Sequence, residues 1–342
     1  MNPKTNAAYD GHEEVVFVGD ETLGYKGIIA IHSTALGPAA GGCRIWTYDR
    51  DEDALTDALR LSRGMTYKNA MADLPLGGGK AVLYKMGADR AACFEAFGRD
   101  IENLHGRYIT AEDVGTSTKD MDYVKLETNH VAGLAGKSGD PSPVTAHGVF
   151  RAVQASANRR WGSDSLEGRT VAIQGCGSVG TYLAKELHEA GAKLIVSDID
   201  SAKAARVKQL TGATIVEGDA IFTNSADIFS PCALGGIIND TTIPKLKVEI
   251  IAGGANNQLL EERHGDELEK RGILYAPDYV ANAGGVINVY GEVAGWDAQH
   301  ALDKADDIYD TVLKVFDIAE SRHIPTYEAA DRLAELRLAE AT

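Results

Sequence analysis

The spacing of apolar residues in the first part of the chain predicts an α/β arrangement. Two apolar runs, residues 14–18 and 27–32, flank a turn-like segment and predict a β-hairpin. The apolar stripe of residues 51–64 predicts a helix that Gly64 ends or kinks. The other predicted elements are a strand near 44–46, a Gly-rich loop entering a strand within 74–83, a helix at 89–104, a strand at 108–111 and a helix at 119–127.

From Ser142 onwards the pattern changes to strands alternating with helices. Ser142-Pro143 is a helix-start signal, and this helix is expected to run to about Arg160. Strands are predicted at 171–173, 194–196, 214–216, 228–230 and 250–252, and mainly helical structure at 284–321 and 326–339. Strands that alternate with helices indicate a doubly wound parallel sheet.

A segment rich in Gly, Ala and Ser, residues 133–140, predicts a hinge between two domains. We therefore expect a first α/β domain at 1–138 and a second, nucleotide-binding domain at 139–322. The final helix, within 323–342, is amphipathic. We expect it to pack back on the first domain or on a neighbouring subunit.

Residues 170–198 form one βαβ unit with a dinucleotide-binding pattern at its first turn. Gly175, Gly177 and Gly180 are spaced as G-x-G-x-x-G between an apolar strand and a helical stripe. Glycine there allows a tight turn, close approach of a pyrophosphate and close helix–strand packing. Asp198 follows Gly175 by 23 residues, where a carboxylate meets a ribose 2′-OH and repels a 2′-phosphate. The unit therefore predicts NAD in preference to NADP.

Glycine-rich patterns differ in how specific they are. A lone G-x-G-x-x-G is also typical of ordinary loops, so the flanking strands, helix and acid are what favour the cofactor. The helix beginning at Ser178 and Val179 supplies unpaired N–H groups and partial positive charge for phosphates. Residues 77–80 are no P-loop, because the first glycine of that motif and the Ser or Thr after the lysine are missing.

Composition and charge narrow the class of protein. The chain has 342 residues, 44% of them hydrophobic, which is ordinary for a globular protein with two cores. A net charge of −16 argues against nucleic-acid binding. The four cysteines form no C-x-x-C motif, so no metal site or disulfide framework is predicted. Without an apolar leader or a membrane-length apolar run, we expect a cytoplasmic protein with no membrane partner.

Two lysines and one aspartate of the first domain are candidates for chemistry. Lys80 directly follows three glycines, and a partly desolvated lysine near a second cation, here Lys68, is suited to act as a base. Taken alone, both lysines are more typical of solvated surface residues than of a catalytic site. Asp113 follows an apolar strand and could serve as an acid/base group or merely as a turn cap.

Three asparagines of the second domain follow predicted strands or loops at the edge where ligands bind in such sheets. Asn256, Asn257 and Asn282 could hold a carboxylate, a ribose or a carboxamide, although asparagine is also common in turns. The nine histidines are scattered, and none pairs with an acid at ligand spacing along the sequence. No catalytic histidine is assigned.

Several segments carry a more specific combination of residues. They are LGPAAGGCR (36–44), RGMTYKN (63–69), LGGGK (76–80), YITAEDVGT (108–116), PSPVTA (141–146), SPCALG (230–235), GANNQL (254–259) and YAPDYVANAGGVINV (275–289). With these segments nearly the whole chain resembles the amino-acid dehydrogenase superfamily of glutamate, leucine, valine and phenylalanine dehydrogenases, closest to the leucine/phenylalanine/valine branch. Ser230 stands where that family has alanine.

The resemblance implies roles for individual residues. Lys80 matches the lysine that activates the attacking water, and Asp113 matches the carboxylate that relays protons. Lys68, assisted by Asn256, matches the lysine that pairs with the substrate α-carboxylate. The predicted cofactor-binding set is Gly175, Gly177, Ser178, Val179, Gly180, Asp198, Thr145, Cys232, Ala233 and Asn282.

The resemblance also implies an apolar pocket for the substrate side chain. Ala40 replaces the lysine that pairs with the distal carboxylate in glutamate dehydrogenases, and Val289 replaces a polar residue. The other pocket positions are Gly41, Met65, Ala111 and Val286. Burying an unpaired carboxylate there would cost several kcal/mol, which excludes glutamate. A branched-chain substrate, leucine first, is expected; the small Ala40 keeps phenylalanine as the alternative.

The resemblance implies NAD-dependent, reversible deamination of an L-amino acid to a 2-oxo acid and ammonia, with the active site in the cleft between the domains. It also implies a homo-oligomer, and the short end after residue 339 disfavours an octamer. A non-catalytic NAD-sensing module is the alternative of another class, but it does not explain the two lysines and the acid. A 2-hydroxy-acid dehydrogenase is disfavoured, because no suitable Arg/His pair is evident.

Overall fold

The computed structural model describes residues 1–137 and 139–341, which form two compact units. The first unit comprises Met1–Gly139, Val289–Asp297 and Ala334–Thr342, and the second comprises Asp140–Asn288 and Ala298–Leu333. The hinge predicted at 133–140 includes Ser138, which lies outside the described residues.

A six-stranded mixed sheet forms the centre of the first unit. Its order is β1-β2-β5-β3-β6, with β4 paired to β5. The strands are β1 (Glu14–Asp20), β2 (Tyr25–Ser33), β3 (Ala39–Ala40), β4 (Cys43–Ile45), β5 (Gly77–Lys85) and β6 (Tyr108–Ile109). The helices are α1 (Asp51–Met71), α2 (Arg90–Glu102) and α3 (Thr118–Lys125), preceded by a 3₁₀ turn at Pro3–Thr5. The predicted hairpin is confirmed, since β1 and β2 pair antiparallel.

Helices cover both faces of this sheet. On one face, Val82 of β5 packs with Leu55 and Leu59 of α1. On the other face, the neighbouring Leu83 packs with Phe94 and Phe97 of α2. Successive side chains of a strand point to opposite faces, so the even-numbered residues of β5 face α1.

Two predictions in this unit are wrong for the same reason, which is packing. Gly64 does not end its helix, because α1 continues to Met71. Residues 77–79 are not a loop but the start of β5. A Cβ on Gly77 would lie 2.0 Å from Ser33 O and one on Gly78 would lie 2.1 Å from Thr66 N, so only glycine lets the neighbouring backbones approach this closely.

The second unit contains the predicted doubly wound parallel sheet. Its strand order is β12-β11-β10-β7-β8-β9. When these strands are numbered 1 to 6 along the chain and read from β9, the order is 3-2-1-4-5-6, which is that of dinucleotide-binding folds. The strands are β7 (Thr170–Gln174), β8 (Lys193–Ser197), β9 (Thr214–Ile215), β10 (Ile228–Pro231), β11 (Ile250–Ile251) and β12 (Leu274–Tyr275). The sequence reading missed β12, a two-residue edge strand.

The remaining helices follow in chain order. They are α4 (Ser142–Trp161), α5 (Ser178–Glu189), α6 (Ser201–Thr211), α7 (Ala220–Thr223), α8 (Arg263–Lys270), α9 (Asp278–Ala281), α10 (Gly284–Ala294), α11 (Ala298–Asp306), α12 (Ile308–Arg322) and α13 (Thr326–Glu340), with a 3₁₀ turn at Ile243–Lys245. The helical segment predicted at 284–321 is thus three helices. Across the described residues, no helix combines the length and apolarity of a membrane span.

Candidate functional site

Lys80 is held inside the first unit on the α1 side of the sheet. It follows Gly78 by two residues on β5, so both residues face α1, and Lys80 is only 5% exposed. Met65 and Lys68 are one turn apart on α1, and Met65 Cγ is 3.1 Å from the place of a Cβ on Gly41. The structure therefore places both predicted lysines on one side of this sheet.

Asp113 is the direct partner of Lys80. Lys80 Nζ lies 2.9 Å from Asp113 Oδ2, and Arg44 Nε lies 3.1 Å from the same oxygen. Burial raises the pKa of the Asp113 carboxyl, but Lys80 and Arg44 lower it by more, so the net pKa is below the ordinary aspartate value. Asp113 is therefore ionised at neutral pH. Its backbone N–H donates to Thr116 Oγ1 at 2.8 Å, which fixes the turn after the strand.

The sequence reading missed Arg44. It is the last residue of the LGPAAGGCR segment, which was a usable signal, but nothing in the sequence connects it to an acid 69 positions away. Arg44 is thus a cation at the Lys80–Asp113 pair beside the expected Lys68.

The pocket positions proposed in the first unit are buried, except for the half-buried Met65. Ala40 and Ala111 are each 7% exposed. Ala40 pairs with Gly78 and Ile109 in the sheet. A Cβ on Gly41 would lie 1.8 Å from Gly79 O, so this position accepts only glycine. The remaining two positions, Val286 and Val289, lie on α10 and are half-buried, Val286 in the second unit and Val289 in the first.

The three fingerprint glycines of the second unit have three different surroundings. Gly175 has φ +99°, and a Cβ there would lie 2.8 Å from Cys232 O. A Cβ on Gly180 would lie 2.0 Å from Gly175 O, so this glycine serves helix–strand packing. A Cβ on Gly177 would meet no atom within 4 Å. The open position is the one where a pyrophosphate approaches the backbone in this kind of turn.

The rest of the predicted cofactor set surrounds the start of α5. No side chain caps this helix at Gly177, so the N–H groups of its first turn, from Ser178 and Val179 onwards, face outwards for a ligand. Asp198 accepts the N–H of Cys176 at 2.6 Å and that of Asp200 at 2.8 Å. These bonds hold the carboxylate at the end of β8. Cys232 and Ala233 border Gly175.

Asn282, Asn256 and Thr145 form a second group in the same unit. Asn282 Nδ2 donates to Asn256 Oδ1 at 2.9 Å. Asn282 Oδ1 is buried and has no hydrogen-bond partner among the described residues. Gly285 follows on α10, and a Cβ there would lie 3.3 Å from Thr145 Oγ1.

These observations fit a dinucleotide. The open space at Gly177 and the uncapped start of α5 suit a pyrophosphate. The unsatisfied acceptor of Asn282 suits the N–H donors of a carboxamide. Gly254 connects the two groups, because a Cβ there would lie 2.9 Å from Val179 Cγ1 and its carbonyl is 3.4 Å from Asn282 Nδ2.

Known proteins match the chain along most of its length. Residues 12–130 match the family model described as Glu/Leu/Phe/Val dehydrogenase, dimerisation domain, and residues 136–342 match Glutamate/Leucine/Phenylalanine/Valine dehydrogenase. The chain is 56% identical to leucine dehydrogenase of Geobacillus stearothermophilus, covering 96% of this chain and 91% of that protein. It is 48% identical to phenylalanine dehydrogenase of Lysinibacillus sphaericus, covering 94% and 87%. The crystal structure of L-tryptophan dehydrogenase from Nostoc punctiforme superimposes with a TM-score of 0.91 at 48% identity, covering 97% of both chains.

Proposed function

Because this chain belongs to the glutamate/leucine/phenylalanine/valine dehydrogenase family, we propose that it catalyses the NAD-dependent, reversible oxidative deamination of an apolar L-amino acid. Leucine and other branched-chain amino acids are the proposed substrates, and a 2-oxo acid and ammonia are the products. The observation that carries the proposal is the buried Lys80–Asp113 pair, 2.9 Å apart on the sheet of the first unit. A buried pair of this kind supplies both a proton donor and a proton acceptor at one place.

In the proposed mechanism the first unit binds the amino acid and moves its protons. Lys68 pairs with the α-carboxylate, with Asn256 assisting from the second unit. Lys80 activates the water that attacks the imino carbon. Asp113, ionised and held through Oδ2, relays protons to and from the substrate nitrogen until ammonia leaves.

The second unit would hold the cofactor through the glycines and the start of α5, with Asn282 and Thr145 towards the nicotinamide end. When bound, the nicotinamide supplies the hydride acceptor for the substrate Cα. Asp198, kept in place by two backbone N–H groups, favours a ribose 2′-OH over a 2′-phosphate. We therefore propose NAD rather than NADP as the cofactor.

The apolar lining supports a substrate side chain without charge. Ala40 and Met65 offer no partner for a distal carboxylate, and an unpaired buried carboxylate costs several kcal/mol. The small side chain of Ala40 leaves room that favours phenylalanine as the second candidate. Pockets that differ by one or two methylenes discriminate only about 10–200-fold, so overlap between these substrates is expected.

The test is a kcat/KM panel over leucine, valine, isoleucine, phenylalanine, tryptophan and glutamate, followed by NADH absorbance, with NAD and NADP compared. We expect leucine and its branched neighbours to lead, phenylalanine to follow, and glutamate and NADP to be poor. A leading value for glutamate, or equal use of NADP, would contradict the proposal. We also propose a homo-oligomer, which light scattering of the purified protein would test.

A further inference from the structure

We propose that Arg44 is the positioning residue of Asp113, and that it holds this carboxylate through a line of alternating charges running from Lys80 to Asp57. The inference rests on the proposed function, since it takes Asp113 to be the group that relays protons. It goes beyond that function by assigning a role to Arg44, which the proposed mechanism does not use.

Two cations meet at one oxygen of Asp113. Lys80 Nζ approaches Oδ2 at 2.9 Å and Arg44 Nε approaches it at 3.1 Å. The backbone N–H of Val114 also donates to this carboxylate. A carboxylate fixed twice through one oxygen keeps a constant direction for the other, which is what a proton relay needs.

Arg44 also contacts a second carboxylate, that of Asp57. Its Nη1 lies 3.1 Å from Asp57 Oδ2 on α1, and the Tyr48 hydroxyl donates to the same oxygen. Burial and Asp57 raise the pKa of Tyr48, so its hydroxyl stays a donor. The guanidinium is a planar fork, and here its Nε and Nη1 each reach a different carboxylate. A lysine carries its charge on one nitrogen at the end of a flexible stem and does not reproduce this rigid two-ended geometry.

These ion pairs are partly shielded from water, which makes them stronger than ion pairs on the surface. The side chains of Arg44, Asp57 and Asp113 are 24%, 27% and 23% exposed. The pair of Arg50 and Asp53 on the same helix start is 74% and 38% exposed, and pairs of that kind contribute little because water screens them. Arg44 also borders an open cavity of about 490 Å³ that Arg60 lines from α1. Arg44 therefore has Asp113 on one side and an open cavity on the other.

Removing Arg44 would leave Asp113 buried with Lys80 alone. A neighbouring opposite charge lowers a carboxyl pKa by about 1–3 units, so the loss should raise the pKa of Asp113 by roughly one unit. In a plot of kcat/KM against pH, the fall in deamination activity on the acid side, called the acid limb, would then occur at a higher pH. A residue with a purely structural role would lower kcat at every pH and leave the position of this limb unchanged.

The experiment compares kcat/KM against pH for the wild type, Arg44→Gln and Arg44→Lys, using the best substrate of the panel. Arg60→Gln is the matched control, because Arg60 is exposed and lines the same cavity. We expect the acid limb of Arg44→Gln to move up by roughly one pH unit, with KM changed less than about threefold. Arg44→Lys should fall between the two, and it keeps the test possible if Arg44→Gln does not fold. Arg60→Gln should match the wild type.

A second readout separates this proposal from the proposed function. Titration of Asp carboxyl carbons by ¹³C NMR, with Asp113→Asn identifying the signal, reports the pKa of Asp113 without turnover. A wild type that deaminates none of the six amino acids would overturn the proposed function. Unchanged acid limbs and unchanged Asp113 titration in both Arg44 variants would overturn the role of Arg44 alone.

Discussion

Two glycines, Gly78 of the first unit and Gly177 of the second, lack a side chain for opposite reasons. In the first unit, a Cβ on Gly78 would lie 2.1 Å from Thr66 N, so the missing side chain lets α1 contact β5. In the second unit, a Cβ on Gly177 would meet no atom within 4 Å, so the missing side chain leaves room for something outside the fold. A run of glycines in a sequence therefore does not by itself indicate a ligand, and its surroundings decide.

The charges of the two sites differ in the same way. The first unit holds the carboxylate of Asp113 between the buried Lys80 and the half-buried Arg44, an arrangement that costs desolvation. The second unit offers backbone N–H groups and one carboxylate. These groups can bind a ligand by hydrogen bonds without exchanging protons with it. This difference supports the proposal that the first unit carries the proton chemistry and the second carries the cofactor, and the following variants test that division.

The largest effect is expected from Lys80→Ala. It removes the amine that we propose activates the water, and it lies outside the second unit. We expect kcat to fall by about 10³-fold or more, since general acid–base groups contribute roughly 10²–10⁴-fold. Steady-state NADH production measures this. Lys85→Ala, on an exposed residue at the end of the same strand, is the control and should retain activity.

Gly177→Ala should act on the cofactor alone. Its φ of −69° suits alanine, and the new methyl group meets no protein atom, so the fold should be unchanged. We expect the NADH dissociation constant to rise by about tenfold or more, roughly 1.4 kcal/mol, because the methyl occupies the space of the pyrophosphate. Fluorescence titration with NADH measures it.

Gly180→Ala is the contrasting variant of the same turn. Its methyl would lie 2.0 Å from Gly175 O, so overpacking should destabilise the fold by about 1–3 kcal/mol. Equal stability of the two alanine variants in urea would show that the open and closed glycines have been wrongly distinguished.

A pH-dependent contribution to stability is expected from His147 in the second unit. Its Nδ1 lies 2.8 Å from Glu186 Oε2 and its Nε2 lies 3.1 Å from Asp306 Oδ1. The bond to Glu186, aided by Asp306 and opposed by burial, raises the pKa of His147 above its ordinary 6.5. This contribution is complete below about pH 6.5 and is lost as the pH rises through the folded-state pKa.

Urea unfolding of the wild type and His147→Gln at pH 6 and pH 9 tests this contribution. We expect the difference in unfolding free energy to shrink by about 1 kcal/mol at the higher pH. A difference that grows with pH would contradict the assignment. NADH affinity should stay the same at both pH values, because His147 belongs to the packing of the unit.

The smallest effect is expected from Gly64→Ala. Gly64 is exposed in the middle of α1, and a Cβ there would meet nothing within 4 Å. Alanine should raise the free energy of unfolding by about 0.5–1 kcal/mol, because glycine is a poor helix former. Thermal unfolding measures it, and a lowered melting temperature would show that this glycine is needed for a contact outside the chain.

The features that the sequence predicts correctly are those determined by residues close together in the chain. The βαβ unit, its three glycine positions and the carboxylate at its end all lie within 29 residues, and the structure has them in the predicted elements. The doubly wound parallel sheet was also predicted, because it follows from the alternation of strands and helices. Gly64 shows the limit of this reasoning, because packing of both halves of α1 against the sheet outweighs the low helix propensity of one residue.

What the sequence did not predict depends on contacts between distant positions. Arg44 meets Asp113 across 69 positions, and His147 meets Asp306 across 159. Neither separation carries a periodic signal. The strand identity of residues 77–79 was hidden for a related reason, since glycine disfavours strands except where neighbouring backbone excludes every other residue.

The division between the units is tested most directly by the NADH dissociation constant of Lys80→Ala, measured beside Gly177→Ala and the wild type. Our account predicts that Lys80→Ala binds NADH within about threefold of the wild type while Gly177→Ala binds at least about tenfold more weakly. If Lys80→Ala loses NADH affinity as strongly as Gly177→Ala does, the chemistry and the cofactor are not carried by separate units.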